Sequence, residues 1–250
     1  MSQTNTTTKE IPHEIERFNI IFRLQHIILF TTFLLLSFTG WGLKYAHEPH
    51  GASSILIRMW GGADMAGLIH KIAGVGMLLD FTWHVLYMLY LLATKQTEIK
   101  TKTTVIPLPK DVFDALQNFK YFLGMSNEKP KFGRYSYLQK FDYWAVFWGM
   151  VIIGFSGFSL AFPMLVSNII PQFAAGWIWD TFALMHSDEA LLAIVFILFI
   201  HFYNEHLKSE VFPMNWVWLT GKISTETLKH HHPLEYELMF PDKDKKEKGE

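Results

Sequence analysis

The stretch LIHKIAGVGMLLDFTWHV, residues 68–85, decides the fold. It is apolar enough to lie in lipid, yet it carries His70, Asp80 and His84. Ionisable side chains inside a bilayer are costly and mark function by default. A helix turns ~100° and rises ~1.5 Å per residue, so fourteen residues bring His84 back to within ~40° of His70 and ~21 Å further along. Working outward, four runs are long enough to cross a bilayer, which takes ~20 helical residues. They are 27–43, 66–93, 143–163 and 181–201 with a few residues beyond. Half of the 250 residues are hydrophobic and 16% are aromatic. The expected fold is an all-α integral membrane protein, a bundle of four transmembrane helices.

Lysine and arginine are shared unevenly among the connections. Segment 94–140 carries Lys95, Lys100, Lys102, Lys110, Lys120, Lys129, Lys131, Arg134 and Lys140. The C-terminal tail carries Lys208, Lys222, Lys229 and more after Asp242, whereas 164–180 has no cation and the first connection only Lys44 and Arg58. The positive-inside rule then puts both termini and the long loop in the cytoplasm. Three parts are expected: a cytoplasmic segment 1–18, a transmembrane domain 19–207 containing the loop 94–140, and a cytoplasmic tail 208–250. The polar first eighteen residues, with Glu10, Glu14 and Glu16, do not read as a cleavable signal peptide. Residues 110–123 carry an apolar helical stripe, either an amphipathic helix on the membrane surface or a helix packed on the bundle. The tail from Asp242 is charged and reads as disordered. A net charge of -1 says nothing about nucleic acid, but no basic groove pattern is present, and no nucleic-acid partner is expected.

Other histidines answer the first pair. His186 and His201 lie fifteen apart in the fourth run, and His26 stands near the start of the first. In the expected topology His70 and His186 share the external level, and His26, His84 and His201 the cytoplasmic one. Two levels of facing imidazoles ~20 Å apart suit two stacked b-type haems, each taking a neutral imidazole from either side. The abundant Phe and Trp supply apolar walls. The chain has no cysteine, so any iron–sulfur cluster or thioether-attached haem must sit on a partner. Arg23, Lys71 and Arg58 are candidate donors to haem propionates, and Gly42, Gly74 and Gly154 candidate sites of close helix approach.

Two other readings compete. HFYNEH (201–206), KHHH (229–232) and His47-Glu-Pro-His50 resemble the histidine boxes of membrane di-iron desaturases or hydroxylases. That reading leaves His70 and His186 unexplained and puts one box on the wrong side. A proton pathway through Asp80, His84 and His201 leaves the external level unused.

Five motifs in order carry a resemblance over nearly the whole chain. They are FRLQH (22–26) with LSFTG (36–40), IHKIAG (69–74), FGRYSYLQKFDYW (132–144) with GFSG (154–157), LMHSDEALLAIVFILFIHFY (184–203), and TGKISTETLKHHHPLEYE (220–237). Together they resemble the cytochrome b subunits of membrane-bound formate dehydrogenases, hydrogenases and thiosulfate reductases. The resemblance implies an external haem on His70 and His186 and a cytoplasmic haem on His26 and His201, with Arg23 three residues before His26. It implies a quinone, menaquinone or ubiquinone, near the second haem beside Ser136 and Gln139, with Tyr135 and Lys140 close by. His84 departs from the pattern. It is either a second claimant to the cytoplasmic haem, a ligand to a third, or a group that binds quinone or carries its protons.

The function expected is a di-haem electron-transfer subunit in a bacterial or archaeal cytoplasmic membrane. It would pass electrons between the quinone pool and an external redox partner, an iron–sulfur protein or a multihaem cytochrome c, within a hetero-oligomeric complex.

Overall fold

The computed structural model describes residues 12–46, 51–96, 103–171, 174–208 and 211–241. The box at 47–50 and the tail from Asp242 lie outside them. In chain order the elements are β1 (Glu14–Glu16), α1 (Ile20–Lys44), α2 (Ala52–Met59), α3 (Ala63–Ala93), α4 (Pro109–Phe122), α5 (Tyr137–Ala161), α6 (Pro163–Ser167) and α7 (Ile178–Phe196). A π-helical segment (Ile197–Leu207) continues α7, followed by α8 (Val217–Thr220), β2 (Lys222–Ser224), α9 (Thr225–His231) and α10 (Pro233–Met239). Four helices, of 25, 31, 25 and 30 residues, are long and apolar enough to span a membrane. The protein is therefore an all-α, multi-pass membrane protein. Three of the four expected runs lie within these helices; the run 143–163 overshoots α5, which ends at Ala161 before Pro163 opens α6.

The chain forms two units. One, drawn from 20–97 and 142–216, holds the membrane helices. Its outer surface is apolar, with Leu79 66%, Leu192 60% and Phe199 70% exposed, as a surface solvated by lipid tails requires. Within it, hydroxyls are closed off locally. Thr39, Ser156 and Ser159 are fully buried and donate to the carbonyls of Leu35, Ile152 and Phe155 four residues back at 2.6, 2.7 and 2.8 Å. Without water, a polar group must find such a partner inside the protein. Small residues set the helix approaches. A Cβ on Gly154 of α5 would lie 2.6 Å from Leu78 of α3, and one on Gly42 of α1 would lie 3.4 Å from Ile57 of α2. Gly61 and Gly62, at φ +84 and +111, make the turn from α2 into α3, a backbone shape that glycine adopts without penalty.

The π-helical segment was not foreseen. Its hydrogen bonds reach five residues back, as in Lys208 N donating to Tyr203 O at 2.9 Å. Residues five apart on an α-helix point ~140° from each other. On a π-helix they return to nearly one face. His201 and His206 therefore share a face that α-helical periodicity denies them.

The second unit is drawn from 1–19, 98–141 and 217–250. The described residues of the N-terminal segment, of the long loop from Thr103 and of the tail from Val217 thus fold together. β1 pairs antiparallel with β2, Ile15 opposite Ile223. Ile223, Leu228 and Tyr236 form a small core with Ile15, Val217 and Phe240 around it. Its polar centre is Glu235, 2% exposed. The carboxylate accepts from Arg17 at 3.0 Å and Arg134 at 2.9 Å, and each arginine also donates to the other's backbone carbonyl. His232 donates to Gly133 O at 2.7 Å. In α4 the apolar stripe stays exposed, with Val112 62%, Phe113 69%, Leu116 54% and Phe119 62%. Removing one member of a buried ion pair costs about 3 kcal/mol or more. Glu235→Gln is therefore expected to loosen all three segments, read as faster proteolytic cleavage within 217–241 in detergent, with the membrane helices intact.

Candidate functional site

The site lies in the membrane unit and is built from facing imidazoles. At one level, His70 of α3 and His186 of α7 have ring centroids 6.1 Å apart and planes at 82°. At the other, His26 of α1 lies 6.4 Å from His201 and 6.2 Å from His206. Two imidazoles on opposite sides of one metal ion, each bonded at ~2 Å, set their ring centroids roughly 6 Å apart. His70 and His84 lie on one uninterrupted helix, so the two levels are ~21 Å apart in depth.

Hydrogen bonds fix which ring nitrogen each histidine presents. Thr39 Oγ1 uses its own hydrogen on the Leu35 carbonyl, so it must accept from His70 Nδ1–H, 2.8 Å away. His186 Nδ1–H donates to the Ile153 carbonyl at 3.1 Å. His201 Nδ1–H donates to the Asp142 carboxylate. All three then present the lone pair of Nε2, the arrangement by which an orienting acceptor prepares a histidine for a metal.

Glycines make room beside the His70–His186 pair. A Cβ on Gly40 would lie 3.1 Å from His70 Cε1, and one on Gly157 would lie 2.7 Å from His186 Cε1. These two, from LSFTG and GFSG, are the glycines at the imidazoles. Gly42 and Gly154 instead seat Ile57 and Leu78.

His84 is placed differently. Its Nδ1 donates to Gln25 Oε1 and its Nε2 accepts from the Tyr143 hydroxyl, both at 3.0 Å. Both ring nitrogens are engaged by protein, and among the described residues the ring faces no other imidazole. Ser136 and Gln139 form a reciprocal cap at the start of α5: Ser136 N donates to Gln139 Oε1 at 3.1 Å and Gln139 N to Ser136 Oγ at 3.2 Å. Lys140 is buried and paired with Asp111 at 2.9 Å. Arg23 Nε is buried without a hydrogen-bond partner among the described residues, a donor left for an anion beside His26. Arg58 and Lys71 are exposed.

His206 was missed as a ligand candidate. It is 7% exposed, and its ligand atom lies with those of His26 and His201, all within 4.8 Å of one another. The sequence offered it only as the end of HFYNEH, because its spacing from His201 reads as off-face on an α-helix. Asp142 was missed too, since the carboxylate gains its role only from the ring it meets.

A model of the family described as prokaryotic cytochrome b561 matches residues 17–238. The chain belongs to that family, and so is a membrane b-type cytochrome that takes part in electron transfer and binds haem b through histidines. Comparison with curated proteins gives no match. The residues present fit the group: paired imidazoles at ligand spacing, glycine cradles, and an orphaned guanidinium N–H. Gly157→Val is expected to push His186 aside and lower haem per polypeptide, measured as pyridine haemochrome. Gly67→Ala, whose Cβ meets nothing within 4 Å, leaves the content unchanged.

Proposed function

We propose that this member of the prokaryotic cytochrome b561 family holds two haems b and carries electrons between the quinone pool and a partner redox protein. The observation that supports this most is the pair of imidazole sets ~21 Å apart in depth, with ring centroids 6.1 Å apart in one and 6.4 Å in the other. We assign His70 and His186 to the first haem and His26 and His201 to the second. Each bound haem supplies one-electron redox chemistry at its iron.

The remaining work belongs to the chain. Thr39, the Ile153 carbonyl and Asp142 hold their imidazoles in one tautomer. Asp142 also fixes the orientation of the His201 ring. Arg23 offers its buried N–H to a propionate. Gly40 and Gly157 leave space at the outer level, and the surrounding side chains exclude water.

The lysine-rich segments support an orientation with both termini in the cytoplasm. The His70–His186 level then faces the exterior, and electrons crossing between levels move charge across the membrane. The external partner, an iron–sulfur protein or a multihaem cytochrome c, would supply the centres that a chain without cysteine cannot build. The complex belongs in the cytoplasmic membrane of a bacterium or archaeon. The neutral segment 164–180, with Met164 83% and Ile169 81% exposed, is the surface offered to the partner.

The test is haem stoichiometry on detergent-purified protein. Two haems per chain are expected, falling to one in His70→Ala, His186→Ala and His26→Ala. His201→Ala is expected to keep two, because His206 stands 6.2 Å from His26, whereas the His201→Ala, His206→Ala double variant keeps one. No b-type haem in the unaltered protein would overturn the assignment.

A further inference from the structure

We infer that Gln25, His84 and Tyr143, with Asp80 one turn away, form the proton-exchanging site for a quinone or its quinol. This rests on the di-haem reading above. A haem held by two imidazoles passes electrons alone, whereas a quinol becoming a quinone gives up two electrons and two protons. A chain that serves quinones needs proton-carrying groups at membrane depth beside one haem.

Adjacent residues place the cluster there. On α1, Gln25 meets His84 while its neighbour His26 faces His201. On α5, Tyr143 meets His84 while its neighbour Asp142 holds His201. Two helices thus each give one residue to the ligand set and the next to His84, and the two clusters lie side by side.

The hydrogen bonds run in one direction, from the Tyr143 hydroxyl to His84 Nε2 and from His84 Nδ1–H to Gln25 Oε1. Two buried atoms, one on Gln25 itself and one on Asp80 a turn before His84, have no hydrogen-bond partner among the described residues, the donor Gln25 Nε2 and the acceptor Asp80 Oδ1. Gln25 is 4% exposed and Asp80 6%. Asp80 and His84, four apart, share a face of α3. Leaving such atoms bare in hydrocarbon is costly. A quinone carbonyl accepts from an amide N–H, and a quinol hydroxyl donates to a carboxylate oxygen, so the two orphans match the two states of that ligand. The rings of Phe22 and Tyr87, 5.3 Å apart, with Phe22 also 6.2 Å from His84, give a flat ring its apolar wall.

In the oxidising direction, one O–H bond of the bound quinol breaks; its electron would go to the haem that His26 and His201 would hold, which would serve as a one-electron acceptor. The proton goes to the Tyr143 oxygen, whose own proton passes to His84 Nε2. Once His84 has released that proton to bulk water, the second O–H breaks by the same route, and its electron would go to the same acceptor after the first has moved on. Quinone reduction is the reverse.

The test uses the full haem-loaded protein in detergent. A fluorescent quinol mimic, 2-heptyl-4-hydroxyquinoline N-oxide, is titrated for binding, and haem reduction by menadiol is followed by stopped flow in H2O and D2O. His84→Phe and Asp80→Asn are expected to weaken mimic binding several-fold. His84→Phe slows menadiol-driven reduction at least ~100-fold, with haem content and the dithionite-reduced spectrum unchanged. Tyr143→Phe, which removes a single oxygen, slows reduction and abolishes the solvent isotope effect, and it decides the matter if His84→Phe does not fold. Unaltered rates and binding in Tyr143→Phe and His84→Phe overturn the inference, as does a di-haem protein that menadiol does not reduce. A protein without haem fails the earlier reading instead.

Discussion

A neutral imidazole buried in hydrocarbon has one donor and one acceptor nitrogen, and both must find partners or cost several kcal/mol. This constraint organises the membrane unit. His70, His186 and His201 each meet an acceptor of the protein through Nδ1. The acceptors are a threonine hydroxyl, a backbone carbonyl and a carboxylate. What they have in common is the nitrogen left over, Nε2, which faces another imidazole across the space a metal would fill. His84 satisfies the same constraint without a metal, since Gln25 and Tyr143 engage both of its nitrogens. Ligand and non-ligand are thus distinguished by their hydrogen bonds, although all four residues are histidines in apolar helices.

Much of this was legible before any coordinates. Hydropathy runs long enough to span a bilayer give the four helices, because nothing but a helix satisfies an isolated backbone there. The histidine spacing on α3 gives two levels of depth, because α3 is regular from Ala63 to Ala93. The alternatives at His84 stayed open for a physical reason: spacing along one helix fixes depth and face, but not which neighbouring helix that face meets. Gln25 and Tyr143 are conspicuous only once α1 and α5 are seen to flank α3.

What was illegible has an equally definite cause. Reading helices at ~100° per residue sends His206 away from His201, and the π-helical segment alone brings it back. Insertions of this kind are costly and cluster at functional sites, so the place where the regular period fails is also the place where a third imidazole enters. Gly40 and Gly157 were hidden in another way. Inside quoted motifs they read as generic packing residues, and only the approach of His70 and His186 distinguishes them from Gly42 and Gly154. In the other unit, Glu235 joins Arg17 and Arg134 over sequence separations of 218 and 101 residues, and no local pattern signals such a meeting.

The ligand set of His26 and His201 and the His84 cluster share a logic of adjacency. Neighbouring residues on a helix point ~100° apart, so one helix can serve two chambers at a single depth. α1 does this with Gln25 and His26, and α5 with Asp142 and Tyr143. A displacement of either helix would therefore alter the ligand set and the His84 cluster together. Electron and proton chemistry at a quinone need that coupling: the iron must accept an electron at a distance fixed relative to the base that accepts the proton. Putting both on the same two rigid helices fixes the distance without a dedicated loop. It also explains how an aspartate and a glutamine with bare polar atoms can persist in the middle of a lipid-solvated bundle, since a ligand bound there would complete their hydrogen bonds.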